Sequence, residues 1–208
     1  MTNKKLSTVL SNERSSPQDK TCSNVGNKIS NNTSFGGWSS QNPHLFHLSS
    51  WSPSSFEGGT LQGAIADNWN ILKGQEGSVY LARLEVGGIR EPHWHPNAWE
   101  LNFIISGRAK WSILGVKGES DCFEANAGDL IFAPQGHFHY FENASDTEEL
   151  LVLIVFNTDA SEPKDDIGLV ASISVIPTDV LSTFFGVSED IFSSMKRKIE
   201  AVTIAKRK

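Results

Sequence analysis

The sequence predicts an all-β barrel followed by two short helices, and two observations lead to this fold class. Runs of β-branched and aromatic residues, each of strand length, follow one another at short spacing and are separated by turns rich in glycine and proline. Near the end of the chain the hydrophobic period becomes helical, because Ile191, Met195 and Ile199 recur at every fourth position. One domain of roughly 150 residues is long enough to bury a single core.

The first segment of the 208-residue chain is unlike the rest. Residues 1–42 are rich in Ser, Asn, Thr and Lys and poor in apolar residues, which is typical of a disordered or loosely attached arm. Its apolar run at residues 6–10 is too short for a secretory signal, and no run in the chain approaches the length of a membrane span. We therefore predict an arm at 1–42, a barrel at 43–176, helices with a basic tail at 177–208, a cytoplasmic location and no membrane partner.

Between the arm and the end of the barrel, several runs have the composition of strands. The run at 78–86 is apolar on both faces, which indicates a strand buried in a sheet. After the barrel, Thr178 and Ser188 are predicted to cap two helices at their N-termini, and Gly186 to end the first of them. Besides the strands that carry the histidines described below, strands are predicted at residues 61–65, 78–86, 108–114, 124–133, 150–156 and 169–175.

A pair of histidines one residue apart begins the most informative part of the sequence. Because side chains alternate along a strand, His93 and His95 point to the same face, while the residue between them points away. The turn at Pro96 and Asn97 then reverses the chain and brings Glu100 back beside the two imidazoles. Three candidate metal ligands therefore come from one hairpin.

A second glycine-framed segment supplies a fourth candidate ligand. Residues 128–139 predict a strand, a turn through Pro134 and Gly136, and a second strand that carries His139 inward. Three imidazole nitrogens and one carboxylate suit manganese, iron, nickel, copper or zinc, and the ligands alone do not choose among them. His137 could face the same way, but the turn at Gly136 breaks the alternation, so we expect it behind or outside the ligands.

Arg90 lies three residues before the first histidine and is a candidate for binding a substrate carboxylate. A guanidinium group can hold a carboxylate through two hydrogen bonds while a metal takes its other oxygens. On a regular strand Arg90 would face away from His93, so this role requires a bend at Glu91 and Pro92 that turns it inward. A surface ion pair with a carboxylate such as Glu91 is the alternative.

The spacing of these residues resembles that of the cupin superfamily. Both signature motifs of that family match at every fixed position, and the string from Arg90 to Ala98 is similar to the oxalate decarboxylase branch. Over residues 44–192 the chain looks like a single-domain relative of oxalate decarboxylases and germin-like proteins. The two motifs are Gly87-x5-His93-x-His95-x4-Glu100-x6-Gly107 and Gly128-x5-Pro134-x-Gly136-x2-His139-x3-Asn143.

This resemblance implies a cupin barrel, which is a double-stranded β-helix or jelly roll, with C-terminal helices and a bound metal. It implies Mn²⁺ as the cofactor, with Fe²⁺, Ni²⁺, Zn²⁺ and Cu²⁺ as alternatives. It also implies a small carboxylate substrate, oxalate in the best-known members, that is converted by a lyase or an oxidoreductase with Arg90 as a catalytic residue. In the family the C-terminal helices dock onto a neighbouring barrel, so a homo-oligomer is expected. The metal ligands that the resemblance implies are His93, His95, Glu100 and His139.

Two features differ from the bacterial oxalate decarboxylases. Those enzymes carry two cupin domains in one chain, whereas this sequence has one pair of motifs and no internal repeat. Their flexible lid carries a Ser-Glu-Asn-Ser-Thr string whose Glu delivers a proton, and residues 161–165 read Ser-Glu-Pro-Lys-Asp at the corresponding place. Glu162 aligns with that catalytic proton donor after one gap, while Pro163 restricts the backbone beside it.

Three functions are consistent with this sequence. The first is an oxalate decarboxylase-like enzyme that uses Mn²⁺ to convert a small carboxylate, and the second is an Fe(II) or Mn cupin dioxygenase or isomerase acting on a larger metabolite. The third is a non-enzymatic metabolite-binding or storage protein. Retention of all four ligands together with Arg90 favours an enzyme. A net charge of −6 argues against nucleic acid as a partner, and the basic clusters at 196–198 and 206–208 are expected to form a solvated tail.

Overall fold

The computed structural model describes residues 38–39, 42–159, 166–195, 197 and 203–208. Within these residues the chain forms short antiparallel strands followed by three short α-helices and a final strand. The strands are β1 (Trp38–Ser39), β2 (Asn42–Phe46), β3 (Ser54–Phe56), β4 (Gly59–Ala64), β5 (Ser78–Leu84), β6 (Gly88–Trp94), β7 (Glu100–Ser106), β8 (Arg108–Leu114), β9 (Ser120–Asn126), β10 (Leu130–Ala133), β11 (Phe138–Asn143), β12 (Leu150–Phe156), β13 (Ile167–Gly168) and β14 (Ile204–Lys206). The α-helices are α1 (Leu169–Val175), α2 (Thr178–Phe185) and α3 (Glu189–Ser193), and single 3-10 turns cover Leu48–Ser50, Asn70–Leu72 and Val116–Gly118.

Two antiparallel sheets form the barrel, and the core lies between them. The first sheet has the strand order β10-β7-β12-β5-β4-β3, and the second has the order β13-β6-β11-β8-β9, with β14 also paired to β6. Side chains alternate between buried and less buried along β11 and β12, which is the pattern of strands with one face on a core. The prediction of an all-β fold with C-terminal helices is confirmed. The largest fully buried core side chains are Trp111, Phe141, Leu84, Ile104 and Leu150.

One predicted strand is wrong, because residues 169–175 form helix α1. The strand pairing ends directly before this helix, where Ile167 and Gly168 pair with the end of β6. Leu169 and Ile173, one helical turn apart, then line the same apolar cavity of about 150 Å³ as side chains from α2 and α3. The tertiary contact of this face outweighs the weak strand preference of the branched residues in the run.

Two of the three helix-end residues predicted from the sequence have the predicted role in the structure. Ser188 caps α3 by accepting a hydrogen bond from the backbone N–H of Asp190, and Gly186 ends α2 in the left-handed conformation with φ of 66°. Thr178 is not the cap that the sequence predicted, because it is the first residue of α2 and Pro177 occupies the N-cap position. None of the helices in the part of the chain that the structure describes is long and apolar enough to cross a membrane.

The end of the chain pairs with the second sheet, while the basic side chains at 206–208 stay exposed, and residues 196 and 198 of the other basic cluster lie outside the described residues. Residues 204–206 pair with β6 in the register Ile204 with Arg90, and Ile204 is buried in the core. The basic side chains that follow contact carboxylates on neighbouring strands, Lys206 binding Glu85 at 2.7 Å and Arg207 binding Glu142. Strand β6, which carries the first motif, therefore has β11 along one side and β13 and β14 along the other.

Candidate metal centre

A β-bulge in β6 determines which of its side chains enter the barrel. His139 of β11 pairs with His93 of β6, and Phe141 of β11 pairs with Arg90 of β6. Two steps along β11 therefore correspond to three steps along β6. The extra residue lies at Glu91 and Pro92, and proline is suited to such a position because it has no N–H to contribute to the ladder. As a result Arg90 and His93 are both buried, with 3% and 0% of their surfaces exposed. This is the inward turn that a site role for Arg90 requires.

The turn after β6 places the other two residues of the first motif. The backbone N–H of Gly136 donates to the carbonyl of His95 at 3.0 Å, and the amide of Gln135 donates to the carbonyl of Pro96 at 2.8 Å. These bonds join the turns of the two motifs at one end of the barrel. Glu100 then begins β7, where it lies between Ala133 of β10 and Phe156 of β12.

The four motif side chains meet inside the barrel. Each offers one ligand atom, and these four atoms all lie within 4.8 Å of one another in a buried group. Glu100 Oε2 lies 2.8 Å from His95 Nε2 and 3.1 Å from His139 Nε2. One histidine lies in β6, one directly follows β6 and one lies in β11, while the carboxylate comes from β7 in the facing sheet. The members of the group are His93, His95, Glu100 and His139.

Contacts on the far side of each imidazole define its orientation, and for two of the three rings these contacts are hydrogen bonds. Nδ1 of His93 donates to the carbonyl of Glu91 at 2.6 Å, and Nδ1 of His139 donates to the carbonyl of His137 at 2.8 Å. Because a carbonyl only accepts, Nδ1 of both rings carries a proton, and in the neutral form of each ring the lone pair of Nε2 points into the site. Nδ1 of His95 faces a carboxylate instead, 2.9 Å from Asp166 Oδ1. Metal-bound histidines are typically held in this way.

The group fits a divalent transition metal. Nε2 of His93 is buried and has no hydrogen-bond partner among the residues that the structure describes, and an unsatisfied buried polar atom costs about 1–3 kcal/mol. A cation bound between the four ligand atoms would accept that lone pair and would separate the lone pairs of the other two histidines from the oxygen of Glu100. Three nitrogens and one carboxylate oxygen suit Mn²⁺, Fe²⁺, Ni²⁺, Zn²⁺ or Cu²⁺.

The charges around the group favour a neutral His93 beside an ionised Glu100. Burial is the main cause that holds the pKa of His93 well below its ordinary value of 6.5, and the positive charge of Arg90 lowers this pKa further. Burial would raise the pKa of Glu100, but attraction and hydrogen bonding to His139 and His95 outweigh it and hold this pKa well below its usual range. Both protonation states are those that a metal requires of its ligands.

Arg90 contacts a carboxylate inside the barrel and does not pair with Glu91. Its Nη2 donates to Asp166 Oδ2 at 2.7 Å, and the two side chains are 4% and 0% exposed. Glu91 instead accepts hydrogen bonds from the backbone N–H groups of Val170 and Thr203. The surface ion pair considered for Arg90 is therefore not the arrangement found.

The comparisons with known proteins identify the family. The family described as Cupin matches residues 46–191, well over half of the chain. The chain belongs to the cupin family. Its barrel is therefore the cupin jelly roll that the two sequence motifs imply.

This cupin is similar to oxalate decarboxylases and to germin-like proteins. It is 28% identical over 177 residues to a probable oxalate decarboxylase of Arthroderma benhamiae. The aligned region covers 84% of this chain and 43% of that protein. It is 30% identical over 125 residues to germin-like protein subfamily 2 member 3 of Arabidopsis thaliana, which covers 58% of this chain and 56% of that protein. A solved structure of Bacillus subtilis oxalate decarboxylase, a protein with Mn(II) centres, matches with a TM-score of 0.69 and 28% identity over 78% of this chain and 41% of the other. The chain spans less than half the length of the oxalate decarboxylases that it matches.

The structure also places residues at the site that the sequence analysis did not single out. Asn102 is fully buried two residues after Glu100 and donates from its amide to Glu100 Oε1 at 2.7 Å, which directs the other oxygen toward the imidazoles. Because side chains two residues apart on a strand face the same way, the sequence could have predicted Asn102 beside Glu100. Asp166 had no such signal, because it is far from both motifs. Glu162 lies outside the described residues, and His137 contributes its carbonyl, not its imidazole, to the site.

Acidification should destabilise the metal-free cupin. The folded pKa of His93 is depressed, so below pH 6.5 the unfolded chain binds a proton that the folded chain does not, and stability falls as pH falls. Glu100, whose folded pKa is also depressed, adds a loss in the same direction below its ordinary pKa of 4.5. We expect His93 alone to remove up to about 1.4 kcal/mol for each pH unit below 6.5.

Urea unfolding of the metal-free protein between pH 7.5 and 5.0 measures this effect. A His93→Phe variant should lose most of the pH dependence in this range, whereas a His44→Gln variant, altered at an exposed histidine, should keep it. A free energy of unfolding that stays constant between pH 7 and 5 in the unaltered protein would contradict the prediction.

Proposed function

We propose that this cupin is a metal-dependent enzyme that converts a small carboxylate, with Mn²⁺ as its metal and oxalate decarboxylase-like chemistry as its reaction. The observation that supports this most strongly is the convergence of three imidazole nitrogens and Glu100 Oε2 next to a buried guanidinium group. Similarity to oxalate decarboxylases adds the expected substrate class and metal. A cytoplasmic location and a homo-oligomeric state stay predictions.

In this proposal the four converging side chains hold the metal. Three neutral imidazoles and one carboxylate leave a net positive charge on the site, and an open coordination position would bind a carboxylate oxygen. The bound cation supplies Lewis-acid polarisation of that carboxylate. Fe²⁺, Ni²⁺, Zn²⁺ and Cu²⁺ are alternatives with the same ligand types. The proposed ligands are His93, His95, Glu100 and His139.

Arg90 would bind and orient the other end of the substrate carboxylate. Its guanidinium already donates to a carboxylate at 2.7 Å in a buried environment, so the site accommodates the chemistry that this role needs. Its attraction to an anion is strong here, because little water is present to screen it. The metal and Arg90 together would fix a small anion at two points.

Glu162 would deliver or accept the proton that separates decarboxylation from oxidation. It precedes Asp166 by four residues, and four residues of extended chain span at most about 14 Å. The Asp166 carboxylate itself lies 2.9 Å from His95, so the length of chain between Glu162 and Asp166 permits this role. A positioned acid or base of this kind contributes about 10²–10⁴ in rate.

Replacing Glu162 by alanine should abolish decarboxylation while leaving the metal content unchanged. We expect a fall in the rate of about 10²–10⁴, since the acid is lost while all four proposed ligands stay. Formate release from oxalate and elemental analysis of the same sample measure the two effects. Glu57→Ala, altered at an exposed carboxylate, is the matched control and should behave like the unaltered protein. Full activity of Glu162→Ala would contradict the assignment.

Elemental analysis of the purified protein, followed by assays with oxalate under air, tests the proposed function itself. Manganese together with release of CO₂ and formate would support a decarboxylase, and H₂O₂ in place of formate would support an oxidase. A metal-free sample prepared with a chelator should be inactive and should regain activity with Mn²⁺. A metal-loaded protein that is inert toward oxalate would contradict the proposed substrate and favour a dioxygenase or isomerase acting on a larger metabolite.

A further inference from the structure

Asp166 joins the proposed metal ligands to the proposed substrate-binding cation. Its carboxylate is fully buried, with Oδ1 at 2.9 Å from His95 Nδ1 and Oδ2 at 2.7 Å from Arg90 Nη2. Oδ2 also lies 4.0 Å from His93 Nε2, on the side of that imidazole that faces the site. The four-membered group of ligand atoms does not include Asp166. Its place is therefore beside the ligands and against Arg90.

His95 depends on Asp166 in a way that the other two histidines do not. His93 and His139 donate from Nδ1 to backbone carbonyls two residues earlier in the chain, so their orientation follows from local structure. His95 lies in the turn after β6, and its Nδ1 faces a side chain 71 residues later. A carboxylate in this position fixes the ring and makes its other nitrogen a stronger donor to a metal.

The same carboxylate competes with a substrate for Arg90. A substrate carboxylate that binds the guanidinium must share it with Asp166 or replace Asp166 there, because Oδ2 occupies a hydrogen-bonding position on Nη2. The negative charge of Asp166 also opposes the entry of another anion into a buried site, where charges interact strongly. Asp166 therefore has two opposite effects. It favours binding of the metal cation and opposes binding of the substrate carboxylate.

We propose that Asp166 is a positioning residue of the metal centre that orients His95 toward the metal and holds Arg90 until a substrate carboxylate takes its place. This inference rests on the proposed function for the metal and for the role of Arg90. It predicts that removal of the charge weakens metal binding and strengthens binding of a small carboxylate. A residue that only supported the fold would not change the two affinities in opposite directions.

The Asp166→Asn variant tests the proposal, because it keeps the size of the side chain and removes the charge. An amide also has one oxygen in place of two, so it cannot present a charged oxygen to both His95 and Arg90 as a carboxylate does. We expect Mn²⁺ to bind 10–100-fold more weakly, about the effect typical of residues that hold metal ligands. Titration of the metal-free protein with Mn²⁺, followed by the electron paramagnetic resonance signal of free Mn²⁺, gives the dissociation constants.

Acetate is the probe for the second effect. At saturating Mn²⁺ the Asp166→Asn variant should bind acetate more tightly than the unaltered protein, by about tenfold, because one competing negative charge has gone. The change in the resonance spectrum of bound Mn²⁺ on addition of acetate reports binding without requiring activity. Asp129→Asn is the matched control, since Asp129 is exposed and caps a turn at the backbone N–H of Asn126. It should leave both affinities unchanged.

The outcomes separate this inference from the proposed function. Weaker Mn²⁺ binding together with tighter acetate binding would support the role of Asp166. Unchanged affinity for Mn²⁺, or a loss of both affinities, would overturn that role. If the unaltered protein itself binds no Mn²⁺, the proposed function fails, and the inference fails with it. A double variant, Arg90→Gln with Asp166→Asn, removes the buried cation in case the single variant does not fold, and it should still bind Mn²⁺ more weakly than Arg90→Gln alone.

Discussion

His95→Ala should lose the metal, and with it all metal-dependent activity. His95 contributes one of four ligand atoms and lies between two carboxylates, with Nε2 at 2.8 Å from Glu100 and Nδ1 at 2.9 Å from Asp166. Alanine removes the nitrogen and leaves two buried acids without the imidazole between them. We expect Mn²⁺ affinity to fall by more than about 100-fold, beyond the 10–100-fold typical of residues that only support a ligand.

Elemental analysis after dialysis, together with Mn²⁺ titration, measures this loss. His137→Ala is the informative control, because His137 lies two residues from His139 and its imidazole is outside the group of four ligand atoms. Its backbone carbonyl, which accepts from His139 Nδ1, stays in place in that variant. We expect His137→Ala to retain its metal. If His95→Ala kept the metal content of the unaltered protein, His95 would have to be removed from the proposed ligand set.

The parts of the site that the sequence could predict are those determined by local geometry. Alternation along β6 places His93 and His95 on one face, and a turn of known type returns Glu100 to them. His139 follows from the same reasoning in the second motif. Even the inward position of Arg90 was conditional on a bend at a named proline, and the bulge in β6 provides it. Short-range rules were sufficient because each of these placements is decided within one hairpin.

The parts that could not be predicted depend on pairing between distant segments. Asp166 reaches the site from 71 residues beyond His95, directly after a stretch outside the described residues, and no periodicity relates the two. Strand β14 has only three residues, and the lysine and arginine around it indicated a solvated tail until the structure showed their partners Glu85 and Glu142. Helix α1 has the composition of a strand, and its side chains line one apolar cavity together with side chains of α2 and α3, an arrangement that the local sequence does not reveal.

Arg90→Met should destabilise the metal-free protein by about 3–5 kcal/mol, because it leaves the carboxylate of Asp166 buried without this cation. The pair is 2.7 Å apart with side chains 4% and 0% exposed, so water cannot replace the lost partner. Urea unfolding in the presence of a chelator measures the change. Arg83→Met is the matched control, because Arg83 forms an ion pair of similar length with Glu149 at the surface, where both side chains are about half exposed. That variant should cost less than about 1 kcal/mol.

A double-mutant cycle shows whether the loss belongs to the pair. Adding Asp166→Asn to Arg90→Met removes the second charge, so much of the lost stability should return and the two substitutions should be non-additive by more than about 1 kcal/mol. Additive effects would mean that Arg90 and Asp166 do not interact in solution as they do in the structure. A strong coupling has a consequence for function. A substrate carboxylate that displaces Asp166 from Arg90 must provide an interaction of similar strength. A stronger ion pair between Arg90 and Asp166 therefore stabilises the substrate-free protein and lowers its affinity for the substrate anion.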